Sequence, residues 1–130
     1  MADWLSTFVL SRMSDAARAG PRAEAWVNES GGMILYGSIG VEAVLRPDGS
    51  VWLYELEELD QEGTWRQATD NERMGALVIG ARRIPEIRRL IPARPTSSPD
   101  CSRCAGTGNL IANVICPECS GLGWVSEGAA

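Results

Sequence analysis

At 130 residues the chain has room for one compact domain with a short module attached, and not for two enzymatic domains. Its 45% hydrophobic and 22% charged residues are those of a folded chain rather than a disordered one. The zeros exclude more. There is no histidine, and all 12 residues of the Lys+Arg total are arginine, which removes Ser-His-Asp and Cys-His catalysis, imidazole metal ligands, lysine Schiff bases and the lysine of a phosphate loop.

A formal net charge of -5 opposes nonspecific attraction to a phosphate backbone and suits a basic protein partner. No run approaches the ~20 apolar residues of a membrane span. Asp3 stands where a secretory signal would carry positive charge. These features together predict a cytoplasmic protein that is not an enzyme.

In chain order, Leu5, Phe8, Val9, Met13, Ala16 and Ala17 recur at helical spacing, with Asp3 as N-cap and Gly20-Pro21 as the stop. Ala23 to Val27 fits a second short helix that sets Trp26 against the core before Gly31-Gly32 breaks it. Met33 to Tyr36, Val41 to Arg46 and Val51 to Leu56 are rich in β-branched and aromatic residues and read as strands. Pro47-Asp48-Gly49 joins the last two as a tight hairpin. On the third strand Trp52, Tyr54 and Leu56 share one face, read as the inward one, while Leu53, Glu55 and Glu57 turn polar.

Thr69-Asp70-Asn71-Glu72 has the spacing of a capping box and predicts a helix carrying Met74, Leu77, Val78 and Ala81 on one face. Pro85 then opens a short helix that turns Ile84, Ile87, Leu90 and Ile91 inward. The order gives an α+β fold, an antiparallel sheet of three or more strands packed with helices. Pro92 to Asp100 holds three prolines in nine residues and no apolar periodicity, so the predicted division is a body over 1–92, a semi-stiff linker over 93–100 and a cysteine module over 101–125.

That module carries the strongest motif. Cys101-Ser102-Arg103-Cys104-Ala105-Gly106-Thr107-Gly108 and Cys116-Pro117-Glu118-Cys119-Ser120-Gly121-Leu122-Gly123 repeat one pattern, CxxCxGxG. Two residues between cysteines let both sulfurs converge on one ion, and two such turns supply the four thiolates of tetrahedral zinc. Gly106, Gly108, Gly121 and Gly123 let the backbone fold back after each second cysteine, with amides toward sulfur, where a Cβ would collide. Asn109 to Ile115 is long enough for a hairpin between the turns. With so few apolar residues, the module needs its metal for stability, commonly worth about 10–16 kcal/mol for structural zinc in small peptides. One zinc on four thiolates takes the formal charge from -5 to -7.

These residues resemble the cysteine-rich zinc domain of the DnaJ chaperones. In that family four knuckles bind two zincs, so the resemblance maps Cys101, Cys104, Cys116 and Cys119 onto one such centre. It covers residues 101 to 124 and two knuckles, and the HPD signature of a J domain needs a histidine that this chain lacks. Shorter two-knuckle modules, such as the anti-TRAP regulators and plastid assembly factors, are the nearer analogues. The resemblance therefore implies protein contact or client holding, with no reaction attached. The order of elements in the body is loosely similar to the SUKH superfamily, which includes many bacterial immunity proteins.

Redox CxxC chemistry and disulfides stand beside zinc as readings of the cysteines. A thioredoxin-like CxxC belongs at a helix start beside a βαβ unit, and a catalytic zinc keeps an open position, so both patterns favour a closed structural site. Leu110, Ile111, Val114 and Ile115 are candidates for packing on the body, a second copy or a client, because a hairpin cannot bury both faces alone, and Trp124, just past the last knuckle, either covers the zinc site or marks a contact surface. The acidic run Glu55, Glu57, Glu58, Asp60 and Glu62 reads either as a docking surface for a basic partner or as a solvated strand end. Arg82, Arg83, Arg88, Arg89 and Arg94 read either as a phosphate grip or as solvated helix faces.

Four functions follow in order of preference: a zinc-binding adaptor or assembly factor, an immunity-type inhibitor of a basic effector, a thiol–disulfide reductase, and a nucleic-acid binder. Homo-oligomerisation through the hairpin is compatible with the first.

Overall fold

A computed structural model of the protein describes residues 3–38, 40–56, 62–110 and 116–125. Its contacts divide the chain into two compact units, Met1–Ala68 and Thr69–Ala130.

In the first unit, α1 (Asp3–Ala17) buries Leu5 and Val9 completely. Asp3, the expected N-cap, opens the helix itself, and its side chain lies outside the described residues. The second helix, α2 (Pro21–Ser30), is longer than the predicted 23–27. Pro21 occupies its first turn, where a missing N–H costs no hydrogen bond, and Gly31 closes it at φ 66, with its amide on Val27 O at 2.9 Å.

Four strands follow, β1 (Met33–Ser38), β2 (Val41–Leu45), β3 (Val51–Glu55) and β4 (Thr64–Gln67). They pair antiparallel in the order β1-β2-β3-β4 as an open sheet, so the fold is α+β. The β2–β3 turn forms as expected. Gly49 sits at φ 89, and Asp48 Oδ1 accepts from Ser50 Oγ at 2.6 Å and Ser50 N at 2.9 Å, bonds that hold the Asp48 carboxyl below its ordinary range.

The four strands fall within the expected three or more, but one of them was not placed in advance and the facing of β3 needs correction. β4 was not predicted, because three of its four residues are exposed and only Trp65 offers an apolar signal. The inward residues of β3 are Val51 and Leu53, not Trp52 and Tyr54. Leu53 stands opposite the buried Ala43, and Val51 opposite the buried Leu45. On the other face Trp52 lies half-buried beneath the Arg46 guanidinium, 4.2 Å from the ring centroid, and Arg46 Nε reaches Ser30 O at 3.1 Å. Trp26, Tyr54 and Trp65 gather there with centroids 5.0 to 5.4 Å apart.

The second unit opens with α3 (Asp70–Arg83), started by the predicted capping box. Thr69 Oγ1 accepts from Glu72 N at 3.3 Å, and Glu72 Oε1 accepts from Thr69 N at 2.9 Å. Ala76, Leu77 and Ala81 are buried along it. The short helix from Pro85 is a 3₁₀ helix, Pro85–Leu90, packed against α3 with Ile87 fully buried. The proline-rich segment after it makes a turn, Ser98 N to Pro95 O at 3.1 Å, pinned by Arg94 on Ser98 O at 3.0 Å and on Asp100 at 2.6 Å. Its end pairs with the last residues of the second knuckle, through the bridge Asp100 to Trp124 and the bond from Val125 N to Pro99 O at 3.1 Å.

Candidate metal centre

The two CxxCxGxG repeats fold into two turns that repeat each other bond for bond. In the first, Gly106 N donates to Cys101 O and Thr107 N to Cys104 O, both at 3.2 Å. In the second, Gly121 N donates to Cys116 O at 3.2 Å and Leu122 N to Cys119 O at 3.0 Å. The amides of Gly108 and Gly123 then point at the sulfurs of Cys104 and Cys119, each at 3.2 Å, as the spacing implied. The turns are stitched crosswise by Cys116 N on Gly108 O and Cys101 N on Gly123 O, both at 3.0 Å.

This mutual closeness explains the glycines. Gly108 and Gly123 have φ 80 and 86, and a Cβ on Gly108 would strike Gly121 O, while one on Gly123 would lie 2.6 Å from Gly106 O. The second glycine of each turn thus packs on the first glycine of the other. Ala105 and Ser120 share this left-handed geometry at φ 54 without being glycine, a pair of positions the sequence reading did not single out. Thr107 was also missed. Its hydroxyl donates to Cys104 O at 2.8 Å and accepts from Asn109 N at 3.2 Å.

Cys101, Cys104, Cys116 and Cys119 are all buried, their sulfurs lie within 4.8 Å of one another, and none is in a disulfide. The facing pairs, Cys101 with Cys116 and Cys104 with Cys119, stand 3.8 and 3.7 Å apart. Zinc–sulfur bonds of about 2.3 Å at tetrahedral angles put sulfurs about 3.8 Å apart. The four thiols therefore fit a metal ion, and all four would ligate it.

Burial works against ionising Cys104, but the Gly108 amide, the Cys101 and Cys119 thiols and the Gly106 amide outweigh it and bring this thiol down to about 7. Cys119 is pushed up to about 11, by burial first and by the facing Cys104 and Cys116, against the amides of Gly123 and Gly121. Two thiols this close lose their protons in sequence, and the first thiolate opposes the second, so the values belong to the pair.

Leu110, Leu122 and Val125 pack against the cysteines, so one of the candidate contact residues, Leu110, serves the centre itself. Ile111, Val114 and Ile115, and with them the expected hairpin, lie outside the described residues. Trp124 is half-buried beside the second knuckle. Two side-chain bonds tie the knuckles to α3. Arg82 donates to Asn109 Oδ1 at 2.9 Å, and Ser120 Oγ donates to Asn71 Oδ1 at 3.4 Å. Neither asparagine was singled out from sequence, since nothing about a lone Asn marks it as a tether.

Of the acidic run, Glu55 bonds Arg66 at 2.6 Å, while Glu57, Glu58 and Asp60 lie outside the described residues. Among the arginines, Arg94 pairs with Asp100, and Arg82, Arg83, Arg88 and Arg89 are exposed. Among the described residues no helix is long and apolar enough to cross a membrane. No family model matches the chain, and neither a curated protein nor a solved structure matches it.

Proposed function

We propose that this chain is a non-enzymatic zinc-binding protein whose knuckle module makes contacts with other proteins, as an adaptor or assembly factor. The observation that carries the reading is the spacing of four buried thiols, which suits one tetrahedral zinc with no position left for substrate. Zinc supplies a cross-link there, joining two turns that share little apolar surface. The likeness of CxxCxGxG to the DnaJ-type zinc domain supports protein contact as its use.

Native mass spectrometry of freshly purified protein, set against the denatured mass, tests the proposal. One zinc per chain with four reduced thiols is the expected result, and no metal with two oxidised pairs after reducing purification would overturn it.

A second reading, inhibition of a basic effector, is supported by the charge of residues 1–68, which carry eleven acidic and five basic side chains. Charge reversal at Glu55, Glu57 and Glu58 separates the two: an inhibitor loses its partner, an adaptor keeps it. The reductase reading predicts insulin reduction that disappears in Cys104→Ser.

A further inference from the structure

Two adjoining hollows of about 500 and 400 Å³ run along the second unit, between α3, the segment after the 3₁₀ helix and the second knuckle. They share Pro92, Leu122 and Trp124, so they form one groove with an apolar middle. Each volume is in the range of ligand-holding clefts, ~300–1,000 Å³. The charges divide cleanly between the two halves. Arg82 and Arg88 are the charged residues lining the first, and Asp70 and Glu118 those lining the second. Among the described residues, Arg88, Asp70 and Glu118 make no ion pair.

We infer that this groove binds a peptide segment of a partner protein, with an apolar anchor on Leu122 and Trp124, an acidic end at Arg82 and Arg88, and a basic end at Asp70 and Glu118. The opposed charges decide the class of occupant. A nucleic-acid strand carries the same charge at every step and would meet two carboxylates in half of the groove. A peptide with an acid on one side of its anchor and a base on the other satisfies both halves. The anchor site is set by the knuckle, since Leu122 packs on the cysteines and the backbone of Trp124 pairs with Asp100. The inference thus rests on the zinc reading and adds to it where the contact lies and what chemistry it selects.

The test uses the zinc-loaded full chain and fluorescence anisotropy with three labelled heptapeptides that share a Leu-Trp-Leu centre. One is flanked by two glutamates and two arginines, one by four glutamates and one by four arginines, and a labelled ten-nucleotide oligo-dT is the fourth probe. The dipolar peptide is expected to bind at least about fivefold tighter than the other three probes. Arg88→Glu should turn the preference to the all-arginine peptide, and Glu118→Arg to the all-glutamate one. The milder Arg88→Gln and Asp70→Asn should each weaken dipolar binding about threefold, which keeps the test alive if a reversal disturbs folding. Equal binding of the three peptides, tighter binding of oligo-dT, no binding, or unchanged preferences in zinc-loaded variants would each overturn the groove. Zinc counted in the same samples keeps the two failures apart: wild-type protein without zinc overturns the metal reading, and zinc-loaded protein without the preference overturns the groove alone.

Discussion

In the sheet the deepest side chains are aliphatic: Leu35, Ala43, Val44, Leu45 and Val51 are at most 1% exposed. In the knuckles the buried cluster is four cysteines, with three aliphatic residues partly covering it. Burying a large aliphatic side chain is worth ~1.5–3 kcal/mol without any ligand, so the sheet carries its own stability. The knuckles close almost entirely through backbone bonds and sulfur, a few groups against the entropy of some twenty residues. The difference teaches that one chain can hold two kinds of core, one aliphatic and one of clustered thiols, and on the proposed zinc reading the second is conditional on a metal.

The largest expected effect breaks that comparison at the metal. A strong chelator should remove the order of residues 101–110 and 116–125 while leaving the sheet, because the apparent zinc contribution is about 10–16 kcal/mol in comparable modules. Hydrogen exchange read by mass spectrometry would show Gly108, Cys116 and Gly123 amides losing protection and Val44 and Leu53 keeping theirs. Equal protection with and without metal would mean the knuckles close without zinc.

The converse is a cavity in the aliphatic core. Leu5 is fully buried, and Leu5→Ala should cost on the order of 4 kcal/mol. Thermal melting would show this loss with the zinc content of the folded protein unchanged. Leu5→Met, close in volume, should cost under about 1.5 kcal/mol and marks the lost volume as the cause.

Gly108→Ala attacks the knuckles without touching a ligand. Its φ of 80 disfavours a side chain, and the new Cβ would meet Gly121 O across the turn. Left-handed strain alone is ~1–3 kcal/mol, so a loss near about 3 kcal/mol is expected, read as a zinc affinity weaker by about 100-fold. Zinc competition with a chromophoric chelator measures it. Gly32→Ala, whose Cβ would lie 2.6 Å from Leu45 O, provides the contrast, since it should destabilise the sheet and spare zinc affinity.

Why some of this was legible follows from the residues. The cysteine cluster was readable because a repeated spacing fixes which sulfurs converge, and positive φ at four glycines was implied by the same repeat. The capping box and the 47–49 turn were readable because their chemistry is local. The face of β3 was not, because Val51-Trp52-Leu53-Tyr54 is apolar on both sides and alternation cannot choose between them. Packing chose the smaller aliphatic pair for the interior and left the indole beneath Arg46. β4 has one apolar residue in four, and it is placed by its pairing with β3, where Trp65 stands opposite Tyr54, a partner eleven residues away.

The smallest predicted effect addresses where one region ends and the other begins. Proline content alone places a boundary after residue 92, which would group α3 with the sheet, whereas contacts group α3 with the cysteines from Thr69 onward. Thr69 is the residue on which the two divisions differ most usefully, because its side chain caps α3 and nothing else in the bonds it makes. Thr69→Ala should cost about 1 kcal/mol by leaving the Glu72 amide without its acceptor. If α3 folds with the knuckles, that cost appears in the metal-dependent transition: a lower melting point for the zinc-sensitive step and zinc affinity weaker by about fivefold. If α3 folds with the sheet, the same loss appears in the step that chelation leaves alone. The bonds from Asn71 to Ser120 and from Arg82 to Asn109 tie both ends of α3 to the knuckles, and on that ground the expected result is the first. Thr69→Ser, which keeps the hydroxyl, should restore most of the difference in whichever step carries it.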